Sequence, residues 1–207
     1  MTDQALDTIP DRADRIAMRV IAALTAIMAV ALAAGQITAA ATFVWADSVT
    51  LSLLADEALA VEPDRGLVAA GIETVTVTAD ALSGGARAVF AGGAVLLAVT
   101  ALIVGFALAW LLVAASGGRP FRPALYRFSL IAGFALVVGP LTATALTGFG
   151  SMQAAFELND AVGGILMPGF GITSWGMTIP IIGLGVIGLA YLFRRMERLQ
   201  RDTDLLV

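Results

Sequence analysis

The chain has 207 residues, 59% of them hydrophobic and 14% charged, with a net charge of −4 and a mean hydropathy of +0.91. Soluble domains are roughly half apolar and a quarter charged, so this balance points to lipid as the solvent and leaves little chain for a second globular core. Histidine, cysteine and lysine are all missing, which excludes thiolate and imidazole metal sites, Cys and His nucleophiles, disulfides, and the lysine of a P-loop or a Schiff base.

A helix needs about twenty apolar residues to cross a hydrocarbon layer of about 30 Å, because no water is present there to satisfy an open backbone. The first such stretch covers about residues 20–44, behind a basic lead-in, segment 1–19, that carries Arg12, Arg15 and Arg19. A basic lead-in and the Ala-x-Ala of Ala31–Ala33 also occur in cleaved signal peptides. The apolar run continues to Val44 and the chain begins at Met1, so a retained span is expected.

The loop 45–87 follows. Within it Asp47–Leu53 and Ile72–Thr78 alternate apolar and polar side chains, the period of a half-buried strand. Two such strands predict a small antiparallel hairpin packed on the ends of the helices or on a partner, since a lone hairpin is marginal in water.

The second span covers about 88–115 and the third about 128–146, joined by the compact basic turn Gly117-Gly-Arg-Pro-Phe-Arg-Pro123. Its glycines end one helix, and Pro123 begins the next. Segment 147–174 carries Pro168 and glycines at 163, 164, 169 and 171, too many breakers for a fifth span. A short interfacial helix around Met152–Ala161 and then an irregular connection are expected there. The fourth span covers about 175–193 and is expected to continue as a helix through 194–207, with Arg194, Arg198 and Arg201 along one face and Glu197 four residues before Arg201.

Arginines orient the spans, since basic residues in short flanking loops stay in the cytoplasm. Arg12, Arg15, Arg19, Arg119, Arg122, Arg127, Arg194, Arg195, Arg198 and Arg201 fall on one side. Only Arg65 and Arg87 fall on the other, with Asp47, Asp56, Glu57, Glu62, Asp64, Glu73, Asp80, Glu157 and Asp160. Four spans then put both termini in the cytoplasm. Trp45 and Trp175 sit at the expected outer boundary, and Trp110, Tyr126 and Tyr191 towards the inner one, as interfacial aromatics do. The fold expected is an all-α membrane protein, a four-transmembrane-helix bundle with a small extracytoplasmic loop that contains a β-hairpin.

The Gly-Arg-Pro-Phe turn at 118–121, its basic helix start, and the terminal Phe193-Arg-Arg-Met-Glu-Arg-Leu-Gln-Arg-Asp-Thr-Asp-Leu-Leu-Val207 resemble a bacterial membrane family known as domain of unknown function 2975. The likeness covers most of the chain, and the long first external loop fits it. It implies a small four-span protein of a kind often encoded beside a small helix-turn-helix regulator. The chain departs from the pattern at its end, where such proteins tend to finish Asp-Leu-Thr-Val and this one has Asp204-Leu-Leu-Val207. The resemblance implies topology and supplies no activity.

Few motifs carry chemistry. Gly183-Leu-Gly-Val-Ile-Gly188 matches the dinucleotide fingerprint in letters, but that fingerprint needs a preceding strand and a helix start at a wet phosphate site. Inside an apolar span the expected role of such glycines is close helix packing. Ala101, Gly105 and Ala109, and likewise Ala22, Ala26, Ala29 and Ala33, form small-residue ridges for packing within one bundle or between copies. Gln36, Thr38, Thr100, Thr142 and Thr144 are polar residues within the spans, and hydrogen bonds between helices are expected of them. Pro140 and Pro180 are expected to kink their helices.

No catalytic, cofactor-binding or metal-binding residues are expected. The acids Glu57, Glu62 and Asp64 lie in a loop without the pattern of a calcium site. Arg119, Arg122, Arg194, Arg195, Arg198 and Arg201 are the candidates for contact with anionic lipid at the cytoplasmic face or with a partner protein. The expected partners are the bilayer and another membrane or cytoplasmic protein or a second copy, with no nucleic acid. The function expected is that of a non-catalytic accessory, interaction or sensor subunit; the alternative is a small oligomeric transporter or channel.

Overall fold

The computed structural model describes residues 12–55, 74–116, 123–170 and 174–204. Helices α1 (Arg12–Trp45), α2 (Gly84–Ser116), α3 (Pro123–Leu158) and α4 (Ser174–Asp204) dominate it, with strands β1 (Val49–Leu54) and β2 (Thr74–Ala79) between α1 and α2. All four helices are long and apolar enough to cross a membrane. At 1.5 Å per residue even the 31-residue α4 is about 46 Å long. Pro123 opens α3, where its missing N–H costs nothing.

Side chains on these helices are sorted in reverse of a water-soluble protein. Large apolar groups face outward: Ile27 and Met28 on α1 are each 64% exposed, and Leu184 on α4 is 60% exposed. The buried positions of α1 are the alanines Ala22, Ala29, Ala33 and Ala40. Small residues inside let backbones approach closely, while large ones outside suit a solvent of hydrocarbon.

The chain divides into two compact units, Met1–Ala33 with Val99–Val138 and Ile179–Val207, and Ala34–Ala98 with Gly139–Thr178. In the first, Gly105 of α2 lies so close to Ala29 that a Cβ at 105 would collide with the Ala29 methyl, and Gly183 of α4 meets Gly133, Leu136 and Val137 of α3. The two small-residue ridges of α1 and α2 meet here at Ala29 and Gly105. Trp110 lies against Phe128, ring centroids 4.2 Å apart.

The second unit is built around the hairpin. The strands pair antiparallel with Val49 opposite Ala79, Leu51 opposite Val77 and Leu53 opposite Val75. These residues cover one face and pack on Leu82, Ala86, Phe90, Ala154, Ala155 and Leu158 from the helix ends. Thr50, Ser52, Thr74, Thr76 and Thr78 occupy the other face, exposed. The predicted alternation is met in phase, with each strand running slightly later than expected; Ile72 and Glu73 lie outside the described residues. Phe43 stacks on Phe90 at 5.1 Å and carries this core up between α1 and α2.

One expectation is corrected. The third helix does not stop near residue 146 with a separate helix at 152–161: α3 runs unbroken, through Pro140, to Leu158. Gly148 and Gly150 weaken a helix by roughly 1 kcal/mol each, but both are used by tertiary packing. Gly148 accepts the Phe170 ring, and Gly150 the Phe90 ring. Beyond Leu158 the chain makes a single 3-10 turn, Asp160–Val162, and reverses at Gly163 and Gly164, with φ of 77° and 80°. L side chains resist that region by about 1–2 kcal/mol per residue. The connection after it is less irregular than expected. Leu166 bridges to Ala55, and the Met167 N–H donates to the Leu54 carbonyl at 2.9 Å, so this segment borders the second edge of β1.

Candidate functional site

The second unit holds the densest polar cluster among the described residues. Ser83 precedes α2, and its hydroxyl accepts from the Ala86 N–H at 3.2 Å, the geometry of a helix N-cap. In the usual capping box a Glu three residues on accepts from the N-cap backbone N–H. That position here is Ala86, and the carboxylate comes from another helix. Glu157, in the last turn of α3, accepts from the Ser83 N–H at 2.9 Å and from its hydroxyl at 2.6 Å. The Gln153 amide donates both to the Ser83 oxygen at 3.2 Å and to Glu157 at 3.0 Å.

This closes an interhelical capping box at the positive end of the α2 dipole. Glu157 lies about 16 Å along the helix beyond residue 146, outside the apolar span. Its carboxyl is held below the ordinary value by the Ser83 hydroxyl first and the Ser83 N–H second; partial desolvation opposes them, and Gln153 adds a smaller pull downward.

Four residues into the same helix, Arg87 gives its guanidinium, among the described residues, to backbone carbonyls. Nη1 donates to Ala46 at 2.6 Å, Nη2 to Asp47 at 3.2 Å and to Asp80 at 3.1 Å, and Nε to Leu82 at 3.2 Å. Helix α1 ends at Trp45, and its last carbonyls have no partner within the helix. Ala46 and Asp47 follow directly on that end, and a planar fork reaches several carbonyls at once, which an ammonium does not. Arg87 thereby joins the end of α1, the end of β2 and the start of α2. Sequence reading placed Arg87 only by side and missed its role; the signal was an arginine beside the helix start that Ser83 marks.

Among the predicted contact residues, Arg194 and Arg195 are exposed on α4. The Arg194 guanidinium lies 5.3 Å from the centroid of the Tyr126 ring, and Tyr126 meets Tyr191 edge-on at 5.9 Å. An exposed cation–π contact contributes about 0.5–1 kcal/mol. Arg198 and Arg201 fall in the last turns of α4; the Glu197–Arg201 pair lies outside the described side chains. Arg119 and Arg122, and the acids Glu57, Glu62 and Asp64, lie outside the described residues.

Of the polar residues expected within the spans, Thr100 is buried. Gln36 and Thr144 are half-buried, while Thr38 and Thr142 are exposed. Thr38 donates to the Ala34 carbonyl of its own helix at 2.9 Å, the back-bond open to a hydroxyl four residues on. Gly183, Gly185 and Gly188 lie within α4, and among the described residues no strand leads into that helix. Gly183 packs on α3, and around Gly185 and Gly188 there is open space. No family model, curated protein or solved structure matches this chain.

Proposed function

We propose that this chain is an integral protein of a bacterial cytoplasmic membrane, a four-helix bundle with its hairpin outside and both termini in the cytoplasm, that acts through contacts and not by catalysis. It serves as an accessory, interaction or sensor subunit, in keeping with its resemblance to the small four-span family. The observation that carries the reading is the outward display of large apolar side chains along four helices, Ile27, Met28 and Leu184 among them. The orientation is supported by the arginines, ten of twelve of which fall on one side of the four expected spans. The hairpin offers a water-facing ladder of Thr and Ser to a ligand or partner, and the Arg194 end offers basic groups to a cytoplasmic one.

The absence of cysteine makes the topology directly testable. In intact cells a membrane-impermeant maleimide labels Thr50→Cys, and it labels Arg195→Cys only after permeabilisation. Labelling in the reverse pattern overturns the orientation, and recovery of the chain without detergent overturns the membrane reading. For the role itself, the intact protein is purified in mild detergent with whatever accompanies it. A specific companion that is lost on deleting 194–207 or on replacing the hairpin threonines is the expected result. A partner-free monomer together with no phenotype for the deletion counts against an accessory role.

A further inference from the structure

On the first unit α1, α2 and the start of α3 enclose an open groove of about 690 Å³. Its floor is small, the buried Ala22 of α1 and Ala107 of α2, with Ala23 and Ala26 also lining it, and the large residues of its lining are Phe106 and Trp110 of α2 and Phe128 of α3. Among the described residues, the one charged group in the lining is Arg19. From Arg19 to Ala26 the groove follows α1 for seven residues, about 10 Å. Arg19 is exposed, and no hydrogen bond or ion pair engages it among the described residues. The first apolar span begins at the next residue, so this guanidinium stands at headgroup level and the alanine floor lies deeper.

We propose that the groove seats an acyl chain of an anionic phospholipid whose phosphate pairs with Arg19. The proposal rests on the membrane reading above and adds a site and a ligand class to it. The apolar walls and alanine floor accept a flexible hydrocarbon, and 690 Å³ falls within the usual range for ligand pockets, about 300–1,000 Å³. The arginine at the shallow end supplies the preference for negative charge, since a guanidinium binds phosphate through paired donors. A second copy is a poor occupant. A two-fold contact here sets concave against concave and brings one Arg19 towards the other, leaving the space unfilled and like charges together.

The full-length protein is tested by native mass spectrometry from mild detergent, with an equimolar mixture of phosphatidylglycerol and phosphatidylcholine bearing the same acyl chains. The wild type retains the anionic lipid in excess. Arg19→Gln lowers the anionic-to-zwitterionic ratio about fivefold, the equivalent of the ~1 kcal/mol that one basic residue contributes near an anionic surface. Ala23→Phe, at an exposed position, reduces retention of both lipids while the helical circular dichroism is unchanged. Arg12→Gln removes the same charge seven residues away and leaves the ratio as it is. An unchanged ratio in Arg19→Gln overturns the proposal, as does an equal fall in Arg12→Gln or a lipid-free dimer that excludes both lipids. Failure of the membrane reading looks different, because the chain is then recovered without detergent.

Discussion

Glu157 and Ser83, 74 residues apart in sequence, share two hydrogen bonds of 2.9 and 2.6 Å, so that the last turn of one long helix caps the first turn of another. Local capping stabilises only the helix that contains it. This contact also fixes where α3 ends against α2, and it does so beneath the hairpin, whose apolar face rests on Ala86, Ala154 and Leu158 of the same two helices.

The first prediction is that the two residues are energetically coupled. Ser83→Ala removes the N-cap and costs about 1 kcal/mol. Glu157→Gln keeps the shape, weakens charge-assisted bonds to neutral ones and costs about 1 kcal/mol as well. The double variant loses less than the sum, because Ser83→Ala already removes the hydroxyl–carboxylate bond that Glu157→Gln weakens, while the Ser83 N–H keeps an acceptor at 157 in both. Unfolding of all four proteins in one detergent gives the cycle; strict additivity would falsify the shared cap.

The second prediction concerns pH. Folding lowers the Glu157 pKa, so the unfolded state holds its proton to higher pH than the folded state does. The stabilisation is therefore fully present above the ordinary glutamate value, about 4.3, and is lost as pH falls through the folded value below it. The melting temperature of the wild type should exceed that of Glu157→Gln at neutral pH, and the gap should close only in acid below the ordinary range. A gap that closes near neutrality would mean that another group carries the effect.

Arg87 provides the third. Its four acceptors belong to residues 46, 47, 80 and 82, and Arg87→Met strands the carbonyls that it now satisfies. The expected loss is about 2 kcal/mol, in line with bonds from a charged donor. Arg87→Lys retains the charge without the fork and recovers under half of it. Protease cleavage within 46–82, compared between variants, reads this out; a lysine variant as resistant as the wild type would show that charge alone matters.

What could be read in the sequence and what could not differ by the range of the interaction. Leu51, Leu53, Val75 and Val77 alternate with polar neighbours, and that local period placed them on the covered face. Ala29 and Gly105 belong to ridges of four-residue spacing, and both are contact points. The end of α3 was misjudged because Pro168 and the glycines from 163 onward counted against the whole segment, while the helix continues through Gly148 and Gly150, whose missing side chains the Phe170 and Phe90 rings use. The partners of Arg87 are backbone carbonyls, and a carbonyl leaves no trace in residue identity. Glu157 was counted among the acidic residues of the outer side, since nothing near it in the chain announces Ser83.

The last prediction separates two readings of Gly183-Leu-Gly-Val-Ile-Gly188. A Cβ on Gly183 would stand 2.8 Å from Val137 Cγ2, 2.9 Å from Leu136 Cβ and 3.0 Å from the Gly133 carbonyl oxygen. Backbone and Cβ atoms of α3 do not swing aside, so Gly183→Ala pushes α3 and α4 apart at a cost of about 1–3 kcal/mol. Around Gly185 nothing lies within 4 Å, and alanine there is neutral or stabilises the helix by up to about 1 kcal/mol. If the run instead cradled a dinucleotide, both substitutions would remove a close approach to phosphate, and the wild type would melt higher with NAD present. Melting temperatures of the wild type and the two variants, each with and without NAD, decide between them. The packing reading requires that only Gly183→Ala falls and that NAD changes none of the three. A shared fall, or stabilisation by NAD that Gly185→Ala abolishes, rejects it.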